Sequence, residues 1–293
     1  MRIDEYKTFD DFKNNLSYLM DYDKELPFDL GKPMYNLSPV FCKGTKDKRF
    51  RYLELDNGYT LFYKVLQIIN TKQIRCFILQ DNKEVLEYLK TLPFVRLIAP
   101  CKIYEEMKPI HEYDDYYYDF TLRPEISSNR SHRKAINKFF NNPDYTYSVT
   151  DRIDIEVANK VRTAWVKGME ETGREVSKRD SKIFENYCNA KVDGKYVITL
   201  YYKKEAFAIA VVVKDKEGIF TSNYNCTISR LVDKDEDNTF YKIVKNNAYI
   251  KNKIVKDELN CKKLYIEGAQ PNELRLLAHK KQHTDGCQEW FIL

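Results

Sequence analysis

Glycine and proline are both scarce in this sequence, with nine of each among 293 residues. No Ser/Gly-rich or Pro-rich stretch is present that would act as a flexible linker between domains. Any two domains of this chain are therefore expected to pack against each other. A charged fraction of 32% beside an apolar fraction of 43% is typical of a globular protein and argues against a disordered one.

Long apolar runs are also missing. The longest uncharged apolar run covers residues 206–213, far fewer than the ~20 residues that a membrane-spanning helix needs. The first residues, MRIDEYK, contain no apolar signal core. We therefore expect no membrane insertion and a cytoplasmic location.

Several sequence signatures of known chemistry are absent. The chain has no G-x-S-x-G, no Walker A and no dinucleotide fingerprint, so hydrolase, NTPase and dehydrogenase functions lack support. The seven cysteines are an odd number without a C-x-x-C pair, which is typical of reduced, mostly buried thiols.

A metal site is weakly suggested near the C-terminus. His279 and His283 share a helix face at i, i+4, and Cys287 follows them. However, no glutamate follows His279 to complete a metalloprotease motif, and Gly286 is expected to end the helix before Cys287. We predict no metal site.

The N-terminal part has the pattern of a small α/β domain. Phe9, Phe12, Leu16 and Leu19 recur at helical spacing. Asn57-Gly58 separates two aromatic-rich runs and predicts a β-hairpin. A further strand is expected at 73–79, then a helix at 82–92 and a strand at 94–100.

A change of charge sign marks the predicted domain boundary. The acidic, Tyr-rich run HEYDDYYYDF (111–120) is followed by the basic run NRSHRKAINKFF (129–140). We divide the chain into an N-terminal domain, 1–118, and a C-terminal domain, 119–293. The second run predicts a helix with one basic face and one buried face. The basic positions are Arg130, Arg133, Lys134 and Lys138, and the buried ones Ala135, Ile136, Phe139 and Phe140.

The C-terminal part alternates helices and strands. Val157 to Met169 predicts an amphipathic helix that includes Trp165, and SKIFENYCNA (181–190) predicts a shorter one. Strands are expected at 195–202, 205–213 and 218–226, the middle one buried on both faces. An acidic loop, 229–238, then precedes one long helix from about Thr239 to Lys256, with Ala248 toward the core. A strand at 262–267, a helix at 271–281 and a strand at 289–293 follow.

These segments together resemble a known family over roughly residues 112–285. The segments are YYYDFTL, the basic helix, YTYSV, Trp165 and LYIEGAQPNELRLLAHKK. They resemble the C-terminal domain of phosphatidylglycerol lysyltransferases and the related Fem-type aminoacyltransferases of the GNAT superfamily. The resemblance implies an α/β (α+β) fold with two GNAT-like modules in tandem, each with a mixed central sheet flanked by helices. It also implies a degenerate first module and a second that accepts an aminoacyl group from charged tRNA.

The loop before the long helix departs from acetyl-CoA enzymes of the superfamily. Those enzymes place a Gly-rich loop there, because backbone N–H groups must approach a pyrophosphate closely. Here residues 229–238 contain no glycine and four carboxylates. We expect no tightly bound cofactor, and leave aminoacyl-tRNA or acyl-CoA as the co-substrate.

Candidate catalytic residues lie at the ends of the predicted strands. Glu267 would act as general base, or alternatively cap the helix near Pro271. Asn223 and Tyr224, with Asn225 beside them, would stabilise the attacked carbonyl, or alternatively belong to an ordinary strand. Candidate substrate-binding residues that follow are Asn272 and Lys280, since Lys280 or Lys281 resembles the family's late lysine.

The basic helix is the candidate nucleic-acid site. Arg130, His132, Arg133 and Lys134 would grip phosphates of tRNA or DNA. The alternative is a solvated face paired with Asp114 and Asp115. A second group of lysines, from Lys242 to Lys263 and including Lys251, is scattered around the long helix and is assigned to solubility.

Two functions follow from these observations. The first is an acyl- or aminoacyltransferase that acts on an amine or hydroxyl, with charged tRNA as donor or modified DNA as acceptor. The alternative is a non-catalytic nucleic-acid or protein-binding module on the same scaffold. The sequence leaves the oligomeric state open.

Overall fold

The computed structural model defines most of the chain beyond residue 50. It describes residues 50–54, 60–68, 71–78, 82–110, 115–122, 125–174, 194–266 and 274–293, and the single residues 10, 13, 176 and 184. The predicted N-terminal helix and the helix at 181–190 fall almost wholly outside the described residues, as does the Asn57-Gly58 turn.

The strands within the described residues form two sheets. The first half of the chain supplies β1 (Phe50–Glu54), β2 (Thr60–Ile68), β3 (Thr71–Phe77), β4 (Val95–Ala99), β5 (Lys108–Pro109) and β6 (Asp115–Asp119). The second half supplies β7 (Tyr145–Thr150), β8 (Lys195–Tyr202), β9 (Glu205–Lys216), β10 (Ile219–Thr227), β11 (Lys263–Ile266), β12 (Gly286–Gln288) and β13 (Phe291–Ile292).

Helices cover these sheets. Those in the described residues are α1 (Lys83–Lys90), α2 (Arg130–Asn141), α3 (Ile155–Glu171), α4 (Asn238–Lys245), α5 (Asn247–Glu258) and α6 (Leu274–His283). Four of them begin at polar side chains that satisfy exposed backbone groups. Asn82, Asn129, Asp154 and Asp237 accept hydrogen bonds from first-turn N–H groups of α1, α2, α3 and α4.

Both sheets are mixed and contain the same motif. The first has the order β1-β2-β3-β4-β13-β5 and the second β12-β6-β11-β10-β9-β8-β7. In the first, β3 pairs antiparallel with β2 and parallel with β4 across α1. In the second, β10 pairs antiparallel with β9 and parallel with β11 across α4 and α5. This repetition and the mixed α/β composition confirm the predicted fold class of two modules in tandem.

Each sheet contains a strand that comes wholly or mostly from the other side of the predicted boundary at residue 118. β6, which spans residue 118, pairs with β11 and β12 in the second sheet. β13, at the very end of the chain, pairs with β4 and β5 in the first sheet. The division into 1–118 and 119–293 itself stays a prediction.

β9 is the centre of the second sheet's core. Its alternate residues pack on opposite faces of the sheet. One face presents Ala208, Ala210 and Val212 to residues of α2, α4 and α5. The other presents Ile209, Val211 and Val213 to α3. This burial on both faces confirms the prediction from its continuous apolar sequence.

The predicted long helix is wrong in one respect, because it is broken at Asn246. The Asn246 side chain donates to the carbonyl of Lys242 at 2.6 Å, and that of Asn247 to the carbonyl of Val244 at 2.7 Å. Asparagine side chains compete in this way with the helical hydrogen-bond pattern. Ala248, predicted to face the core, is exposed, whereas Asn247 and Lys251 are buried.

The basic helix differs from its prediction at one apolar position. Ala135, Ile136 and Phe139 are buried as expected, but Phe140 is 36% exposed. The Lys253 ammonium lies over the Phe140 ring, 5.5 Å from the ring centroid.

Candidate active site

Beyond Ser222, the edge of β10 that faces β11 has no strand partner among the described residues, and this region is called the gap. The two strands pair from Ile219 to Ser222, whose partner Ile266 is the last residue of β11. β10 continues to Thr227, bound only to β9 on its other side among the described strands. The pairing of β10 with β9 has a register shift between Ser222 and Tyr224, directly after the last residue paired with β11, and such bulges re-aim side chains.

A chain of three polar side chains lies at this gap. Lys251 Nζ donates to Asn225 Oδ1 at 2.6 Å, and Asn225 Nδ2 donates to Ser222 Oγ at 3.0 Å. Lys251 is 4% and Ser222 8% exposed, whereas Asn225 is exposed. The buried lysine of α5 is thus joined to an exposed amide on the part of β10 that lies beyond its pairing with β11.

Burial makes Lys251 an unusual lysine. The loss of hydration lowers the pKa of its ammonium to about 8, while the nearby Cys226 thiol raises it. Desolvation disfavours the charged form of any buried amine. Lys251 therefore changes its charge close to neutral pH, which exposed lysines do not.

Sequence reasoning missed Lys251, which it had assigned to solubility with the other lysines of the helix. A signal was available, because Asn247 and Lys251 are spaced i, i+4 and would lie on one helix face. Lys251 also lies seven positions after Val244 and four before Val255, both predicted to be buried, so periodicity alone already placed it on the buried face of the helix.

The predicted carbonyl-binding residues fall on β10, as expected, at its register shift. Tyr224 is buried and points away from α5, with its ring 5.5 Å from that of Phe184 and 6.0 Å from the Arg162 guanidinium. Asn223 lies at the shift itself. The structure thus brings Asn225, the neighbour of these two residues, into the polar chain.

Two other predicted residues, Glu267 and Asn272, lie outside the described residues. Both belong to the segment 267–273 that follows β11. Their roles as general base and substrate contact stay predictions.

The basic face of α2 is smaller than the sequence suggested. Arg130 and Lys134 are exposed. Arg133, however, forms an ion pair with Glu125 at 2.8 Å and donates to the carbonyl of Ser128 at 2.5 Å. Its observed carboxylate partner is Glu125, whereas Asp114 lies outside the described residues.

His132 turns inward from the same helix. Its Nδ1 lies 2.8 Å from Ser127 Oγ, and its ring stacks on Tyr249 with 4.1 Å between centroids. His283 of α6 lies 5.9 Å from it, and His279 lies 4.4 Å from His283. The pKa of His132 is lowered by burial and by the charges of His283 and His279. Within the described part of the chain, no group of three or more metal-ligating residues is placed to hold a metal ion.

A cavity of about 270 Å³ lies at the C-terminal end of α6. Its lining residues are Tyr116, Lys281, Thr284, Asp285, Gly286, Cys287 and Glu289. Tyr116 pairs with Ile266 on one side and Cys287 on the other, so the cavity lies beside the end of β11. Lys281 therefore lies near the gap, while the predicted Lys280 is half-buried on the same helix.

The acidic loop ends in a helix cap. Asp237 accepts hydrogen bonds from the N–H groups of Thr239 at 3.0 Å and Phe240 at 2.8 Å. Tyr202 donates to its other oxygen at 3.2 Å. These hydrogen bonds, chiefly that from Phe240, lower the pKa of the carboxyl group. A carboxylate thus already occupies N–H groups at the N-terminus of α4, a position that favours an anion.

The fold is similar to solved structures of the predicted family, which confirms the predicted resemblance. It is similar over 90% of this chain to L-PGS from Bacillus licheniformis, with 93% of that chain covered, a TM-score of 0.54 and 11% identity. FemX is similar over 86% of this chain and 90% of its own, with a TM-score of 0.55 and 10% identity.

A third solved structure is a conserved protein of unknown function from Bacteroides thetaiotaomicron. It covers 98% of this chain and 97% of its own, with a TM-score of 0.62 and 13% identity. No family model and no curated protein sequence matches the chain. Similarity at these identities defines the fold alone.

None of the described helices combines the length and apolar composition needed to cross a bilayer.

Proposed function

We propose that this protein is an acyl- or aminoacyltransferase whose reaction takes place in the gap between β10 and β11. The observation that carries the proposal is the Asn225 amide, exposed in the gap and held by Lys251 and Ser222. An ordered amide N–H beside an open strand end is suited to bind a carbonyl oxygen. The fold shared with L-PGS and FemX supports the same chemistry.

The chemistry proposed for this site is addition of a nucleophile to an activated carbonyl. An amine or hydroxyl attacks, negative charge develops on the carbonyl oxygen, and the Asn225 N–H stabilises it. The intermediate then collapses, the bond from the carbonyl carbon to the donor's ester oxygen or thioester sulfur breaks, and the leaving group takes up a proton and departs as the free hydroxyl or thiol. Holding the two reactants together supplies much of the remaining acceleration. Glu267, in the segment after β11, would accept the proton of the nucleophile.

The donor is proposed to be an aminoacyl ester, such as charged tRNA, in preference to acyl-CoA. The Asp237 carboxylate occupies the first-turn N–H groups of α4. It would repel a pyrophosphate at that position. An ester donor that places its phosphates elsewhere avoids this repulsion.

The nucleic acid is proposed to bind along α2. Arg130 and Lys134 are exposed on this helix, and Lys138 continues the same face. Exposed basic side chains on one helix face suit phosphate contacts. The bound nucleic acid is charged tRNA as donor or modified DNA as acceptor.

The experiment measures transfer and binding on the same preparation. Charged tRNA carrying a radiolabelled amino acid and acetyl-CoA are each incubated with the protein and ethanolamine, which offers both an amine and a hydroxyl. We expect transfer from the charged tRNA that is lost in Asn225→Ala. Stabilisation by acetyl-CoA without tRNA or DNA binding would contradict the proposed donor.

Binding to α2 is tested with charge variants. Arg130→Ala with Lys134→Ala should weaken tRNA binding and reduce its salt slope by ~2, about one for each phosphate that is no longer neutralised. Arg133→Ala is the matched control, since Arg133 is engaged by Glu125 and Ser128. Tight, salt-dependent binding with no transfer from either donor would favour the alternative of a binding module.

A further inference from the structure

The orientation of the Asn225 amide determines what it offers to a substrate. One of the two Nδ2–H groups donates to Ser222 Oγ, and Oδ1 accepts from Lys251. The second Nδ2–H group is left on a side chain that is exposed at the gap. In the reverse orientation the amide oxygen would take this place and repel a carbonyl oxygen.

Lys251 distinguishes between these two orientations. An ammonium group has three donors and no acceptor, so it can bind only the oxygen of an amide. Ser222 cannot make this distinction, because a hydroxyl both donates and accepts. The identity of the residue at 251 therefore decides which end of the Asn225 amide faces the gap.

We propose that Lys251 is a positioning residue that locks the Asn225 amide with its N–H toward the acyl carbonyl. The inference rests on the proposed function and adds to it a residue that never touches the substrate. Asn225 is the catalytic residue, and Lys251 acts through it. No covalent step or proton transfer is assigned to Lys251.

Burial holds the lysine in place for this role. Lys251 is 4% exposed on α5, and Asn225 Oδ1 lies 2.6 Å from its Nζ. The pKa lowered to about 8 means that the lock weakens in mild alkali, since a neutral amine can also accept a hydrogen bond.

The effects of other titratable groups near Lys251 must be distinguished from the titration of Lys251 itself. Cys226 on β10 acts on its charge directly. Tyr249, two residues earlier on α5, contacts His132 of α2 and His283 of α6, and His279 lies beside His283. Because these groups are shared by the native protein and a Lys251 variant, the informative quantity is the difference between the two pH profiles.

The first test needs no enzymatic activity. The side-chain amide of Asn225 is observed by ¹H–¹⁵N NMR and assigned by its absence in Asn225→Ala. We expect its resonances to titrate near pH 8 in the native protein and to lose that titration in Lys251→Met. Lys253→Met is the matched control, since Lys253 lies on the same helix and pairs with Asp257 at 2.5 Å. An Asn225 signal unchanged in Lys251→Met would overturn the proposal.

The second test is kinetic and uses the transfer assay. Asn225→Ala should lower kcat by about 10²–10³-fold, the usual loss for one oxyanion donor, with little change in KM. Lys251→Met should lower kcat by up to about 10²-fold through misplacement of the amide, and abolish the decline above pH 8. The double variant should be no worse than Asn225→Ala alone. Additive losses, or a native alkaline decline retained in Lys251→Met, would overturn the proposal.

The two tests separate this inference from the proposed function. If no acyl transfer occurs from any donor, the proposed function fails, while the NMR titration still decides whether Lys251 controls the Asn225 amide. If transfer occurs and Asn225→Ala is inactive but Lys251→Met is fully active, the function stands and the inference fails.

Discussion

Lys251 is a buried residue that lowers the free energy of unfolding while it contributes to the candidate active site. Its amine is removed from water on folding, and it donates to the neutral amide oxygen of Asn225. Desolvation of a charge is unfavourable unless an opposite charge compensates it. Residues of this kind are expected where function, and not folding, determines the side chain.

We predict that Lys251→Met raises the free energy of unfolding at pH 7 by about 1–3 kcal/mol. The folded-state pKa, about 8, lies below the ordinary value of 10.5. Between these two values the unfolded chain binds more protons, so native stability rises with pH and the gain from the substitution shrinks. Urea unfolding at pH 7 and pH 10 measures this change. A gain that is equal at both pH values, or one also seen in Lys253→Met, would contradict the assigned pKa.

At the scale of elements, the ends of α4 decide what the second sheet can bind. Asp237 caps its beginning, and Asn246 with Asn247 separates it from α5. The first feature places a carboxylate on N–H groups that could otherwise bind an anion. The second marks the beginning of α5, the helix that carries Lys251.

We predict that Asp237→Ala destabilises the protein by about 1 kcal/mol at neutral pH, the usual loss for an N-cap. The pKa of Asp237 is lowered, so this stabilisation is present above the ordinary carboxyl value of 3.8 and is lost as pH falls through the lower folded value. The difference from the native protein should therefore disappear in acid. Thermal unfolding between pH 3 and pH 7 measures it. Asp235→Ala, an exposed neighbour in the same loop, should have little effect at any pH.

At the scale of the whole molecule, the end of the chain joins the two sheets. β12 pairs in the second sheet, and only a few residues later β13 pairs in the first. Trp290 between them is 1% exposed and lies edge to face with Phe77 of β3, with 6.2 Å between centroids. The scarcity of flexible linkers in the sequence agrees with this close connection.

We predict that Trp290→Ala lowers the free energy of unfolding by about 3–5 kcal/mol, as for a large aromatic side chain removed from a core. The loss should appear as faster amide exchange at Ile74 and Ile98 in the first sheet. Leu274→Ala is the control, because Leu274 is 70% exposed. A small loss, or faster exchange confined to β8 and β9, would show that Trp290 does not anchor the first sheet.

Much of the fold was predictable because it depends on local pattern. The continuous apolar run of β9, the alternation in the neighbouring strands and the amphipathic helices α2 and α3 each encode their own burial. The resemblance to GNAT-type transferases followed from the order of these elements. The position of Asn225 was also predictable, because it lies beside Asn223 and Tyr224 near the end of the predicted strand 218–226.

Composition and periodicity therefore predicted the set of elements, their buried faces and the general class of fold. Which polar side chains meet depends on how those elements pack together. Helical spacing places Lys251 on the same face as Val244 and Val255, but only the packing of α5 on β10 brings its amine to Asn225. The sequence likewise predicted Arg133 as part of a binding face, but in the structure its guanidinium is engaged by Glu125 and the Ser128 carbonyl. Contacts between residues distant in sequence depend on phase and register, which accumulate over whole elements and are not written in any short segment.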